Sequence, residues 1–460
     1  MFAHLKAPAR RLALAALAVG LAAPSAYATD GYFQYGYGAR QKALGGAGVA
    51  DSRDATAAAL NPAGLVHVED QVDLSVTLFS PWREMKGGEP APGFNFNPTG
   101  TVESDRNYFL VPNFAWSKRV RNNPLFDVAA LTVYGNGGMN TSYGPVSRNN
   151  CPNPNSPDGM PPVSGAGVFC AGKMGVDLQQ AFMSVAFAKK VAPNLSIGVA
   201  PILARQQIKL QGLDAFKNFS NEPESVTGNG IDESWGYGLR GGIEWALTPA
   251  IRFGIAGNTR ILMQKFDKYD GLFAEHGDFD IPASVQAGIA IDIRPDLTLM
   301  ADYKYINYSG IKAIANPSTN ISGCFPPSPN PDYCLGGNNG SGFGWHDINI
   351  FKVGLEWRAS PMATWRLGYS YNENPIKSRD TMFNIIAPGV VQHHFTGGAE
   401  FKLSDKWSLE LAGAYVPEAS VKGSEIPPGN PGHDIEISMH QYEVTAGIKY
   451  RFGTEAEPLK

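Results

Sequence analysis

From His440 to Phe452 the chain alternates. His440, Tyr442, Val444, Ala446, Ile448, Tyr450 and Phe452 fall on one side, and Gln441, Glu443, Thr445, Gly447, Lys449 and Arg451 on the other. Successive side chains of a strand point to opposite faces, so this is a strand with one apolar and one polar side. The pattern recurs in Trp235–Trp245, Val285–Ile293, Leu297–Tyr305, Trp365–Tyr371 and Trp407–Tyr415. Tight links (Ala192-Pro193-Asn194, Thr248-Pro249, Arg294-Pro295-Asp296, Ser360-Pro361, Ser404-Asp405) alternate with long polar stretches near 144–175, 214–232, 268–280, 312–346, 377–390 and 422–438. Short turns on one rim, long loops on the other and aromatics near strand ends predict an all-β, transmembrane antiparallel barrel of the outer-membrane type. Counting from Gln71 gives about fourteen strands, an even number as this class requires, with both termini on the periplasmic side. A soluble sandwich or β-helix would pack its sheet faces and leave fewer exposed aromatics at strand ends.

The N-terminus agrees with export. Lys6, Arg10 and Arg11 precede the apolar run Leu12–Ala23, and Ala26-Tyr27-Ala28 is a small-residue cleavage site. The run is too short for a membrane-spanning helix, which needs about 20 residues. Without those three basic residues the chain has 35 Lys and Arg against 42 Asp and Glu, a net charge of about −7, which gives no reason to expect a nucleic-acid partner. Mean hydropathy of −0.18 fits a barrel, in which only alternate residues face lipid. Four cysteines in an exported chain point to disulfides. Of the three possible connectivities, local pairing Cys151–Cys170 and Cys324–Cys334 is expected, each closing one loop. Zinc ligation finds no CxxC or nearby histidine pair to support it.

Residues 29–68 do not alternate and are rich in Ala and Gly. Asp54 can cap a short Ala-rich helix that Asn61-Pro62 would close, so this segment reads as a plug ahead of the barrel. Here the sequence resembles the FadL family of outer-membrane long-chain fatty acid and hydrocarbon transporters. The likeness is carried by Gly31-Tyr32-Phe33, Gly45-Gly46-Ala47-Gly48, Asp54-Ala55-Thr56 and above all Asn61-Pro62-Ala63-Gly64. Ala204 to Ile208, Trp235 to Gly238 and Asn384 to Gly389 extend it along the barrel. The resemblance implies a fourteen-stranded barrel blocked by an N-terminal hatch, with ligand captured outside and released sideways at a kinked third strand. It places the hatch motif on Asn61, Pro62, Ala63 and Gly64, and the kink on Tyr134-Gly135-Asn136-Gly137-Gly138, with Gly135, Gly137 and Gly138 as the lateral gate. Glycines weaken a strand and mark bulges, which is independent support for that placement. The expected organisation is signal peptide 1–28, hatch 29–68, barrel 69–452 and tail 453–460. Two departures from the family pattern stand out. The 214–232 loop is short for the family's outer hairpin, and Gly453 to Lys460 follow Phe452, the expected terminal aromatic.

Candidate chemistry is sparse. The Gly45–Gly48 run lacks the Lys-Ser/Thr and the preceding strand of a phosphate cradle. His393 and His394 point to opposite faces of a strand and cannot chelate together, so no metal or cofactor is expected. No G-x-S-x-G elbow is present, and no enzymatic activity is expected. Lumen cations are the better candidates: Arg205 and Lys209 on one strand face, Arg260 and Lys265 at the end of the strand beginning at Ile251. They would either hold a ligand carboxylate by charge-assisted hydrogen bonds or pair with acids such as Glu244 and Asp292. Phe216 and Phe219, with Leu213, offer a small apolar face on the 214–232 loop.

These readings converge on passive uptake of hydrophobic small molecules by a monomer in outer-membrane lipid. An open diffusion porin and a surface adhesive barrel are the alternatives; the plug counts against the first, and loop truncation that preserves uptake would exclude the second. Cleavage after Ala28 should leave Thr29 at the start of a heat-modifiable outer-membrane protein. N-terminal sequencing that returns Met1 on a soluble protein would end the barrel reading.

Overall fold

Antiparallel pairing organises the chain in the computed structural model, which describes residues 30–92, 95–146 and 167–453. The strands are β1 (Gln71–Gly87), β2 (Gly100–Glu103), β3 (Phe109–Arg119), β4 (Val128–Tyr143), β5 (Met174–Ala192), β6 (Leu195–Gln211), β7 (Asp232–Thr248) and β8 (Ile251–Asn258). They continue with β9 (Leu262–Met263), β10 (Ser284–Arg294), β11 (Leu297–Ile306), β12 (Ile348–Ser360), β13 (Ala363–Asn372), β14 (His393–Lys402), β15 (Trp407–Ser424) and β16 (Asp434–Arg451). The short β2 and β9 hang on the tips of β1 and β7. The other fourteen pair in chain order, and β16 returns to β1 from Gln71↔Arg451 to Gly87↔Ile435. The fold is therefore a closed fourteen-stranded barrel, as the alternation predicts.

Burial follows the pleat. On β16, Gln441, Glu443, Thr445 and Lys449 are buried while Tyr442, Val444 and Ile448 are exposed; on β7, Trp235, Tyr237 and Leu239 face out. With lipid outside, those apolar side chains are in their preferred solvent. Strands β4 to β7 run 16 to 19 residues, well beyond the ~9–11 needed to cross a bilayer, so this side of the wall projects past the membrane.

Residues 30–68 fill the lumen. The helix Gly38–Ala43 packs on β1 and on β13 to β16, the 3₁₀ turn Ala55–Ala59 on β1 and on β3 to β5, and a second 3₁₀ turn Pro62–His67 on β4 to β7. Asp54 caps as expected, its carboxylate accepting from Thr56 N at 3.0 Å. Contrary to expectation, Asn61-Pro62 opens a further turn as well as closing the first. Proline suits the first position of a helical turn, where its missing N–H costs nothing. The helix Gly38–Ala43 was not foreseen from the sequence.

Ion pairs fix the plug to the wall. Asp51 accepts from Arg40 and Arg53 at 2.7 Å and from Arg252 of β8 at 2.8 Å. Glu356 of β12 receives Arg40 and Arg366 at 2.9 Å and Arg53 at 3.2 Å. Burial works to raise the Asp51 carboxyl, but Arg53, Arg40 and Arg252 hold it well below the usual carboxylate range. Lys304 and Lys352 meet Asp30 at 2.9 and 3.0 Å, and Lys42 reaches Glu443. The Gly45–Gly48 run ends on a carboxylate of the protein itself: Gly48 N and Val49 N donate to Asp302 Oδ2 at 2.8 and 2.9 Å. Asn61 Nδ2 donates to Val49 O at 2.7 Å and to Ile243 O of β7 at 3.1 Å. A Cβ on Gly242 would stand 2.1 Å from Asn61 Oδ1, and one on Gly198 would stand 2.4 Å from Ala63 N, so the wall carries glycine where the Asn-Pro-Ala turn docks.

Removing one partner of a buried ion cluster leaves uncompensated charge, at a cost of roughly 3–5 kcal/mol. Asp51→Ala should leave Arg40 and Arg53 to share Glu356 and Arg252 to Asp292 alone, cutting the link from the plug to β8 and loosening the plug. Single-channel recordings should then show raised conductance; an unchanged trace would mean that Asp51 does not retain it.

Candidate functional site

Strand β4, the third of the fourteen, breaks at its glycines. Its ladder with β5 slips one residue between Gly135↔Ala181 and Gly137↔Gln180, leaving Asn136 as a bulge. Its ladder with β3 stops at Asn113↔Tyr134. Residues Phe109 to Pro112 of β3 still pair with β1, but have no β4 partner. Above, the wall resumes where Ser104 bridges Tyr143 and Asp105 N donates to Ser142 O at 2.8 Å. Tyr134 and Asn113 thus form the sill of a lateral window, and Ser104 and Tyr143 its lintel.

The start of the plug lines the inner side of that window. Gln34 N donates to Asn136 O and Gly138 N to Tyr32 O, both at 3.0 Å, and Gln34 Nε2 donates to Gly135 O at 2.5 Å. Phe33 bridges Gly137. A Cβ on Gly137 would lie 2.2 Å from Tyr32 O, so only glycine admits this approach. Residues 32–34 serve as an extra strand that satisfies the backbone groups β3 leaves unpaired.

Two cations stand apart beside the window. The buried Arg40, Lys42, Arg252, Lys304, Lys352, Arg366 and Lys449 all reach carboxylates. Arg83 and Arg240, each 5% exposed, reach none among the described residues. Arg240 of β7 donates to Tyr134 Oη at 2.9 Å and to Ala59 O. It lines a cavity with Phe33, Tyr37, Asn136, Gln286 and Lys304. Arg83 of β1 reaches Asn140 O and Arg106 O, and lines a second, largely apolar cavity with Tyr32, Phe79, Met139 and Trp345.

The candidates named from sequence fall elsewhere. Along β6 the buried positions are Ser196, Ala200, Ile202, Ala204, Gln206, Ile208 and Leu210, so Arg205 and Lys209 take the outer face, and Arg205 pairs with Glu233 at 2.7 Å. Strand β8 ends at Asn258, which places Arg260 and Lys265 in the following loop. Arg260 meets Asp280 at 2.5 Å and Lys265 donates to Glu275 O at 2.6 Å. The lumen-cation reading is corrected for all four. Phe216 is buried in a ring cluster with Phe96, Phe169 and Phe383, and Phe219 packs on Phe325, so the 214–232 loop joins a cap over the mouth. Gly135, Gly137, Gly138, Asn61, Pro62, Ala63 and Gly64 lie at the kink and at the plug–wall contact. Cys324 and Cys334 form a disulfide; Cys170 is disulfide-bonded, while Cys151 lies outside the described residues, as do the signal sequence and residues 454–460. Arg240 was overlooked, although its alternation with Trp235, Tyr237 and Leu239 marks it as inward-facing.

Comparison with known proteins agrees with the barrel fold. The family model described as outer membrane protein transport protein (OMPP1/FadL/TodX) matches residues 166–452. Among solved structures, the Pseudomonas putida toluene transporter TodX superposes with a TM-score of 0.63 at 16% identity, covering 91% of this chain and 99% of that one. A Pseudomonas aeruginosa FadL homologue gives 0.64 at 16%, covering 92% and 99%, and the Ralstonia pickettii toluene transporter TbuX 0.59 at 16%, covering 91% and 99%. At such identity the likeness is one of fold. No curated protein sequence matches the chain.

Gly137→Val should force residues 32–34 off the β4 edge and raise single-channel conductance. Gly144→Val, where an added Cβ meets nothing within 4 Å, should not. Equal traces for the two variants would remove Gly137 from the closure.

Proposed function

The chain belongs to the outer membrane protein transport protein family (OMPP1/FadL/TodX), and on that premise we propose that it passes hydrophobic small molecules, long-chain carboxylates among them, through the window between β3 and β4. The observation that carries this reading is the interrupted β3–β4 ladder, backed from inside by residues 32–34. A continuous barrel has no route sideways, because every strand edge is paired. Here the edge is already free of its neighbour and is held by a segment of the plug. Straight passage down the axis would require the Asp51 and Glu356 ion clusters to part. Sideways release requires only the displacement of three residues.

Hydrophobic cargo suits that path. A molecule leaving through the wall enters lipid directly and avoids water on the far side. The toluene transporters among the structural neighbours fit a hydrophobic substrate class. Arg240 supports the finer assignment to amphiphiles. A buried guanidinium without an acidic partner among the described residues is suited to a carboxylate, which it binds more strongly than a neutral group. The plugged lumen is poorly suited to an open aqueous pore.

Deleting Asn136 removes the bulge and lets β4 continue its ladder with β3. The deletion should block uptake while ligand binding and heat-modifiability persist; normal uptake by a folded deletion variant would rule out sideways exit. Arg240→Met should weaken binding of hexadecanoate relative to hexadecane by about 1.5–3 kcal/mol, the range of a charged hydrogen bond. Arg205→Ala, on the outer face, should leave that difference in place. A preference for the acid that survives Arg240→Met would remove Arg240 as the anchor.

A further inference from the structure

The window's upper frame holds polar atoms that find no hydrogen-bond partner among the described residues. Arg83 commits Nη1 to Asn140 O and Nη2 to Arg106 O and Asn107 Oδ1, yet its Nε is buried without a partner. Both side-chain atoms of Asn140, Nδ2 and Oδ1, are buried and unpartnered, and so is Tyr143 Oη. Asn140 is 6% exposed and Tyr143 fully buried. An unsatisfied buried polar atom costs on the order of 1–3 kcal/mol, and such atoms are rare in native proteins. Several line the lumen of this barrel, and those at the window lie on Arg83, Asn140 and Tyr143, with Tyr143 on the inner face of β4 and Asn140, three residues away in an unbroken ladder, on the outer. Arg83 and Asn140 are in direct contact, and Tyr143 bridges Ser104, whose N donates to Arg83 O at 2.9 Å.

Their surroundings are apolar. Arg83 and Asn140 line one cavity with Phe79, Met139 and Trp345, and the Phe109 ring lies 5.7 Å below the Arg83 guanidinium. Beyond the window, Tyr108 and Leu110 are 64% and 57% exposed on the outer, lipid side. An amphiphile crossing here meets hydrocarbon-like walls along its tail and a cation, an amide and a phenol at its head. We propose that Arg83, Asn140 and Tyr143 form a head-group station, which takes the carboxylate of an amphiphile while its tail enters the bilayer. The station rests on the sideways exit proposed above. It lies above the kink, whereas the Arg240 cavity contacts Tyr134 at the sill, so the two cations mark the two ends of the window. A carboxylate can therefore leave Arg240 without crossing the apolar window as a bare charge, a crossing that desolvation would make very costly. A pure hydrocarbon needs neither group.

The test measures uptake of radiolabelled hexadecanoate and hexadecane by cells expressing the full chain, with heat-modifiability as the check on folding. In the Asn140→Leu/Tyr143→Phe double variant, and in Arg83→Met, the ratio of hexadecane to hexadecanoate uptake should rise about tenfold or more, with partial recovery in Arg83→Lys. If Arg83→Met fails to fold, the double variant decides. A ratio that stays at the wild-type value, whether both rates fall together or neither falls, overturns the station. The Asn136 deletion separates the two readings. If it blocks both probes while the lintel variants leave the ratio unchanged, sideways exit stands and the station falls. If it blocks neither, sideways exit fails and the station fails with it.

Discussion

Backbone amides at bilayer depth have no water to bond, and a barrel satisfies them by pairing every strand with two neighbours. The edge that β4 presents beyond Tyr134 violates that rule on its β3 side. It is tolerated because residues 32–34 lie along it and supply the missing donors and acceptors. The rest of the lumen is arranged around keeping that short segment in place. Its base is Asp30, held by Lys304 and Lys352. Farther along, Asp51 binds three guanidiniums and Asn61 spans from the plug to β7. The plug is thus rigid at its far end and engaged by few bonds at the window, the distribution expected of an element that moves at one place only.

The lumen also separates structural charge from available charge. Most buried lysines and arginines are consumed by plug and wall carboxylates, which makes them poor binding groups but good fasteners. Arg83 and Arg240 differ in having only neutral oxygens as partners among the described residues. Both bond to β4 or to its neighbourhood, so the cations that meet no acid among the described residues flank the breach between β3 and β4. Such an arrangement costs stability, since an uncompensated buried charge is unfavourable, and natural proteins carry costs of this kind at functional sites.

Much of this was legible in the sequence. Strict alternation on β7 and β16 read correctly because both faces are simple there, with lipid outside and charged lumen inside. The plug was legible because residues 29–68 lack a period of two, and the kink because glycines cluster in β4. Reading failed on β6. There Ile202, Ala204, Ile208 and Leu210 face inward against the plug and the cap loops, while Arg205 and Lys209 sit on the outer face, where Arg205 pairs with Glu233. Polarity alone then assigns the faces backwards, and the correct register comes only from pairing with β5 and β7. The glycines marked the segment that holds the bulge, and the ladder with β5 adds which residue is the extra one, Asn136.

The interrupted ladder has a mechanical corollary. Opening a slit in an ordinary barrel means tearing strand pairs, so the barrier would scale with the cohesion of the whole wall. Here the tear is built in. Releasing residues 32–34 breaks a few bonds to β4, each worth about 0.5–1.5 kcal/mol net, and withdraws Tyr32 and Phe33 from ring contacts with Tyr308 and Trp345, but it leaves every strand ladder intact. On the sideways route proposed above, selection can toughen the barrel, by longer strands or tighter girdles, without stiffening the window, and can retune the window within a three-residue segment without weakening the barrel. Durability and turnover, often in conflict in one protein, are assigned here to different parts of the chain.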